Sequence, residues 1–186
     1  MTTYPDPLPF KLRALTALTG IIKEITPDNG YVCDLADFDP GDGVDQERVF
    51  RGRAWFGDND PIPMVSVLEG VSPADEVDEP PVDTTTGEYD WPLLIQGFVD
   101  DDPEHPTDPA YLLLADVRRR LAVEKRRKAP GSHQPDPLGL GLGKNRITKI
   151  SIGPGVVRPA DDVSSRAYFW LTVILRVVDN ASDPYA

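Results

Sequence analysis

The chain has 186 residues and carries 19 Lys and Arg against 31 Asp and Glu, a formal net charge of −12 at pH 7. This length predicts one domain spanning residues 1–186, and the acidic balance argues against general binding to nucleic-acid backbones. The single cysteine, Cys33, excludes an internal disulfide, and from the sequence we expect neither a signal peptide nor a membrane span.

The charge is unevenly distributed along the chain. Between Arg53 and Arg118 there are 16 Asp and Glu and no Lys or Arg, which leaves 19 basic and 15 acidic residues, a net +4, for the rest. Basic residues cluster at 118–120 and 125–128. This pattern predicts a subunit with two electrostatically distinct sides, which suits head-to-tail contact between copies. The alternative is two solvated faces that serve solubility alone.

The N-terminal part of the chain predicts one helix and a pair of short strands. Apolar residues recur at helical spacing over residues 10–25. Residues 31–35 and 48–54 are β-like runs, and we expect them to form an antiparallel pair. The loop between them, residues 37–47, is acidic and contains two glycines.

The middle of the chain predicts two further strands. In residues 63–69, Val65 and Val67 fall on one face and Met64, Ser66 and Leu68 on the other. Residues 71–90 are acidic and lack apolar periodicity, so we expect a long exposed loop. Residues 91–99 are almost continuously apolar, which indicates a central strand.

The C-terminal half predicts a second helix and two strands. The helix begins at Thr107 or Asp108, has Pro109 in its first turn, and ends near Lys128. Residues 129–144 are rich in Gly and Pro and predict a long loop; residues 146–152 and 167–178 predict strands. The elements together predict an α+β fold: a mainly antiparallel sheet with two helices packed on one face, and long acidic and Gly/Pro-rich loops.

The residue types that support catalysis are scarce in this sequence. Both histidines, His105 and His133, lie in Pro-containing loops, where nothing in the sequence orients an imidazole. Residues 139–145 resemble a phosphate-binding loop, but Leu138 and Asn145 occupy the places of an essential Gly and of the hydroxyl residue that binds magnesium. We therefore predict no enzymatic activity, no catalytic residue and no cofactor. The three tryptophans are predicted to pack in the core: Trp55, Trp91 and Trp170.

Two acidic segments hold enough oxygen ligands to consider a metal ion. The loop 37–47 departs from the EF-hand order, because Gly41 stands where a liganding side chain belongs and Pro40 stiffens the turn. Asp100, Asp101 and Asp102 are suited to magnesium, but no basic phosphate clamp lies near them in sequence. We predict no metal site, and a metal-dependent enzyme remains the less favoured alternative.

Three passages resemble a known protein family. They are PIPMVSVLEG, WPLLIQGFVDDDPEHPTDPAYLLLADVRRRLA, and a closing strand with Tyr168-Phe169 and Leu171-Thr172-Val173. With the N-terminal helix, this pattern resembles the tail terminator, or tail completion, proteins of long-tailed bacteriophages. The resemblance covers most of residues 8–178 and leaves out the segments 71–90 and 129–144.

The resemblance implies a structural virion protein with an α+β domain and no enzymatic residues. Such proteins form a ring, normally a hexamer, that caps the head-proximal end of the tail tube, ends tail elongation and joins the neck. The implied partners are further copies of the chain, the tail tube protein and a neck or head-tail connector protein, while genomic DNA only passes through the lumen. The implied location is the virion tail or neck, after assembly in the host cytoplasm.

Two groups of residues are candidates for contact surfaces in such a ring. One is a candidate partner interface: Leu138, Leu140, Leu142, Arg118, Arg119 and Arg120. The other is a candidate acidic lumen or interface that repels DNA phosphates: Asp100, Asp101, Asp102 and Glu104. Alternative functions are another connector, such as a stopper or neck protein, a tail tube component, or an acidic adaptor for a cationic partner.

Overall fold

A computed structural model describes residues 7–54, 57, 60–70, 85–162 and 164–186 of the chain. It contains two helices, α1 (Phe10–Lys23) and α2 (Asp108–Lys125). The strands are β1 (Val49–Arg51), β2 (Met64–Glu69), β3 (Thr86–Val99), β4 (Arg146–Ile152), β5 (Val156–Arg158) and β6 (Ala167–Asn180). Short 3₁₀ turns occupy Pro27–Asn29 and Pro137–Gly139.

The six described strands form one mixed sheet in the order β1-β2-β3-β6-β4, with β5 also paired to β6. Only β1 and β2 run parallel; the other pairs are antiparallel. The centre of the sheet is the pair β3 and β6, aligned over their full 14 residues. The predicted α+β class with a mainly antiparallel sheet is therefore confirmed.

Both helices pack on the same face of the sheet. The buried stripe of α1 contains Ala14, Leu18 and Ile22, and that of α2 contains Leu113, Val117 and Leu121, at the spacing of one helix face. These side chains join one core cluster with the inward residues of β2, β3, β4 and β6. Burial of these two stripes fixes which face of the sheet becomes the core.

Strand β6 sets the register of the sheet, as its sequence predicts. Its alternate residues from Ala167 to Val177 are fully buried against the helices. Opposite the fully buried Phe169 lies Gly97 of β3, where an added Cβ atom would stand only 2.1 Å from the Phe169 ring. Gly97 thus leaves the space that the ring fills.

The opposite face of the sheet has its own small apolar cluster. Met64, Phe98 and Tyr168 lie side by side across β2, β3 and β6, and all three are buried. Ile62, Phe50 and Trp170 pack around them. Beyond this cluster, the face is lined by half-buried and exposed side chains, among them Leu94 and Thr172.

Four sequence predictions need correction. Residues 31–35 form no strand, because the backbone N–H groups of Val32 and Cys33 donate to the buried Asp116 carboxylate, each at 2.8 Å. Strand β1 consequently pairs with β2, in parallel. The prediction of an exposed loop over residues 71–90 is wrong at its C-terminal end, because β3 starts at Thr86. Residues 71–84 lie outside the described part of the chain. The short strand β5 was not predicted.

Candidate interaction surfaces

One edge of the sheet, formed by β4 and β5, is uniformly basic. Residues 144–158 contain Lys144, Arg146, Lys149 and Arg158 and no Asp or Glu. Both strands pair only with β6 among the described strands, so their outer sides form a sheet edge. Lys149 and Arg158 are exposed, and no ion pair of either is seen within the described residues, whereas Lys144 pairs with Asp183 at 3.8 Å. An exposed edge of this kind is suited to contact with another chain.

Two grooves flank β5. The first, of about 390 Å³, lies between β5 and α2 and is lined by Tyr111, Ala115 and Arg118 together with residues 154–157. The second, of about 400 Å³, lies on the other side of β5 and is mainly apolar, lined by Leu94, Gln96, Trp170 and Thr172 with residues 154–156. Val156, which is 49% exposed, stands between the two grooves.

Two neighbouring polar side chains beneath the sheet surface near the apolar groove lack hydrogen-bond partners among the described residues. Ser66 and Gln96 are cross-strand neighbours on the face away from the helices. Ser66 Oγ and Gln96 Oε1 are buried, and neither has a hydrogen-bond partner within the described structure. Gln96 lines the apolar groove, but both atoms are closed to solvent, so their missing hydrogen bonds are a local cost to the fold.

The opposite sheet edge is acidic. Residues 34–47, which lead directly into β1, contain Asp34, Asp37, Asp39, Asp42, Asp45 and Glu47 and no Lys or Arg. The bridge between Phe38 and Gln46 closes this segment into a hairpin-like loop, here called the acidic loop. Lys23 at the end of α1 holds its base through Asp37 at 2.8 Å and Glu47 at 3.0 Å. The tip of the loop, residues 39–45, is exposed.

A third groove, of about 290 Å³, runs along this acidic edge. Leu8, Leu12 and Thr16 line it from one side, and Glu47 with residues 49–51 from the other. Val44, 63% exposed, adds an apolar side chain between Asp42 and Asp45. The exposed Arg51 also lines this groove, so the negative charge at this edge belongs to the acidic loop and not to β1 itself.

The acidic residues singled out from the sequence lie together at one end of the sheet. Asp100, Asp101, Asp102 and Glu104 are exposed in the loop that follows β3. Asp100 pairs with Arg166. The backbone N–H groups of His105 and Glu104 donate to Asp102 and hold the pKa of its carboxyl below the usual value. This arrangement organises the loop, and its remaining charge faces solvent.

The three arginines singled out on α2 have different environments. Arg118 is exposed and lines the groove beside β5, which agrees with a role in partner contact. Arg119 donates to the Gly30 carbonyl at 2.8 Å and stacks over the Tyr31 ring, so it supports the neighbouring loop. Arg120 is buried and pairs with Glu24 at 2.8 Å and the buried Glu124 at 2.9 Å. Arg120 is therefore a structural residue and not part of a subunit surface.

The three leucines of the Gly/Pro-rich loop differ in burial. Leu138 is buried in the main core and has a left-handed φ of 67°, a strained conformation that its packing must stabilise. Leu140 is half-buried against the same core, and only Leu142, 39% exposed, is open to a partner. The Asp136 carboxylate accepts the Gly141 N–H at 2.9 Å and orders the loop. The prediction of three leucines available to a neighbour is wrong for Leu138.

Groups that support chemistry do not converge in the described structure. His105 and His133 are exposed in separate loops. Burial raises the pKa of the Cys33 thiol to about 12, and the nearby Asp116 charge adds to this effect. Within the described residues, no three His, Cys, Asp or Glu side chains are arranged to hold a metal ion. No helix among those residues is long and apolar enough to cross a membrane.

Of the predicted tryptophan positions, the structure bears on two. Trp91 is buried in the core beside Glu69, to which its indole N–H donates at 3.2 Å. Trp170 instead lies on the face away from the helices and lines the apolar groove. The core-facing residues of β6 have odd numbers, so the even number of Trp170 in this alternating strand assigns it to the face away from the helices. Trp55 lies outside the described residues.

A comparison with known proteins finds no family model that matches the chain and no curated protein with significant sequence similarity.

Proposed function

We propose that this chain is a structural subunit of a bacteriophage tail that assembles into a ring, with the role of a tail terminator. In that role the ring caps the head-proximal end of the tail tube, ends tube elongation and joins the tail to the neck. The basis is the sequence resemblance described above, and the α+β fold, with two helices on one face of the sheet, agrees with what that resemblance implies.

The observation that carries the proposal is the separation of charge on the folded subunit. Asp100, Asp101, Asp102 and Glu104 are exposed at one end of the sheet, whereas residues 144–158 at one sheet edge include four Lys and Arg and no Asp or Glu. An acidic opening of the ring repels the phosphates of the genomic DNA, so that the DNA passes through the ring without binding to it. Distinct charged surfaces also favour oriented contact between copies over random association.

The test is to purify the full chain and measure its mass in solution, alone and with tail tubes, by native mass spectrometry. Class averages from electron microscopy of the tails then give the symmetry and position of the protein. We expect a closed oligomer in at least one condition, located at the head-proximal end of the tube. A persistent monomer that is absent from tails would refute the proposal.

The position in the tail separates this role from its structural alternatives. Location in the neck above the tail end would assign a stopper or other connector function, and a repeat along the tube would assign a tube function. A monomer that binds a cationic protein with strong salt dependence would instead assign the adaptor function.

A further inference from the structure

The acidic loop and the β4–β5 edge carry opposite charge. Residues 144–158 along β4 and β5 have a formal charge of +4, with Lys144 paired to Asp183 at 3.8 Å. The acidic loop, residues 34–47, has −6, and its Asp37 and Glu47 are paired to Lys23, whereas β1 itself carries the exposed Arg51. Since β1 and the β4–β5 edge terminate the described sheet on opposite sides, the two surfaces face away from each other. Two different surfaces on opposite sides are what a head-to-tail contact between identical chains requires.

Each edge also offers apolar surface to stabilise a contact. The exposed Val156 and the grooves of about 390 and 400 Å³ beside it lie at the basic edge. The exposed Val44 lies at the acidic edge, between Asp42 and Asp45. Arg118 lines the groove nearer α2, where it adds a further positive charge. Burial of apolar area provides affinity, and the charges select the orientation.

We propose that copies of this chain associate head to tail, with the basic β4–β5 edge of one copy against the acidic loop of the next. The occupant of the apolar groove beside Val156 is thus a second copy of the chain. The inference deepens the ring proposed above and rests on it only for the biological role of the oligomer. Because the charges are exposed, the contact weakens as salt concentration rises.

Charge reversal on each edge tests the contact. One variant carries Lys149→Glu and Arg158→Glu, and the other carries Asp42→Lys and Asp45→Lys; all four side chains are exposed, so we expect thermal unfolding close to that of the unmodified chain. Each variant alone brings like charges together at every contact. We expect its self-association to be weaker by about tenfold or more, measured by sedimentation and native mass spectrometry.

Mixing the two variants gives the decisive result. The reversed basic edge of one variant is complementary to the reversed acidic edge of the other, and their two unmodified edges remain complementary. A 1:1 mixture therefore restores the oligomer, with the two chains alternating and an even number of subunits. The control carries Asp28→Lys and Lys125→Glu, which reverses two exposed charges that lie on neither surface and leaves association unchanged.

The outcomes distinguish this inference from the proposed function. Oligomers that persist in both variants, or a mixture that stays dissociated, would overturn the edge-to-edge contact even if the protein is found in tails. An unmodified chain that stays monomeric at all concentrations would overturn it as well. Restored alternating oligomers from a chain that never joins tails would support the contact and refute the tail function.

Discussion

Gly97 provides a direct test of how the core is packed. The added Cβ atom of a Gly97→Ala variant would lie 2.1 Å from Cε1 and 2.6 Å from Cζ of Phe169. Ordinary contacts between carbon atoms are about 3.5–4.0 Å, so the ring must move by about 1.4 Å. Phe169 is fully buried in the middle of the sheet, and its neighbours leave little room for that shift.

The expected cost follows from the size of this overlap. Overpacking a well-packed core costs about 1–3 kcal/mol, and we expect Gly97→Ala to lie near 3 kcal/mol. For a domain of this size each kcal/mol lowers Tm by about 2–4 °C, so Tm should fall by about 6–12 °C. Gly87→Ala is the matched control, because it lies in the same strand, and an added Cβ there meets nothing within 4 Å.

Thermal and denaturant unfolding of the variants measure these free energies. Phe169→Leu removes the atoms that overlap, and on its own it should cost about 1–2 kcal/mol through lost burial. We expect the double variant to be destabilised by about 1–2 kcal/mol less than the sum of the two single-variant costs, because the smaller side chain leaves the space that the new methyl group needs. Equal stability of the Gly97→Ala and Gly87→Ala variants, or simple additivity with Phe169→Leu, would refute the packing argument.

Three further predictions compare neighbouring residues or solution conditions. Leu171→Asp should prevent folding, because it buries a carboxylate at a fully buried position, whereas the exposed Thr172→Asp should cost less than about 1 kcal/mol by circular dichroism. Arg120→Ala should lower the free energy of unfolding, measured by chemical denaturation, by about 3–5 kcal/mol, because it leaves Glu124 buried without that partner. Arg118→Ala should change it by no more than about 0.5 kcal/mol, and equal effects would contradict the structural role of Arg120. The Cys33 pKa of about 12 predicts slow thiol labelling of the folded chain at pH 8 and faster labelling as the pH rises; its stabilising contribution is full below the ordinary pKa of 9.0 and is lost toward pH 12. Labelling at pH 8 as fast as in denaturant would contradict that shift.

Elements defined by their own apolar pattern could be predicted from the sequence. The alternation in β6 and the helical stripes through Leu18 and Val117 each determine one buried face without reference to distant residues. The bounds of β4 agree exactly with the expectation, and those of α1 and β2 agree within two residues. The alternation in β2 separates Val65 and Val67 from Met64, and the structure shows that the two valines are the residues that face the helices.

Features that depend on a distant partner could not be predicted. Residues 31–35 have the composition of a strand, but Asp116, more than 80 positions away, accepts their backbone N–H groups. Arg120 belongs to a run of three arginines that looks uniformly exposed, yet Glu24 and Glu124 surround it. Strand β5, which contains Val156, could not be predicted because its three residues are too few to establish an alternating pattern.

The proposed contact between copies also limits where the acidic end of the sheet can lie in a ring. If neighbouring copies join across the strands, the strands run perpendicular to the circumference, either along the ring axis or along its radius. Asp100, Asp101, Asp102 and Glu104 follow the end of β3, and with strands along the axis they lie on an axial surface, where a stacked tail tube or neck protein meets them. The variant with Asp101→Lys and Glu104→Lys should therefore form normal rings but join tails poorly, as measured by co-sedimentation with purified tail tubes and by the yield of infectious particles. Normal joining of the variant to tails, together with increased retention of double-stranded DNA, would place these residues in the lumen instead and would refute the axial arrangement.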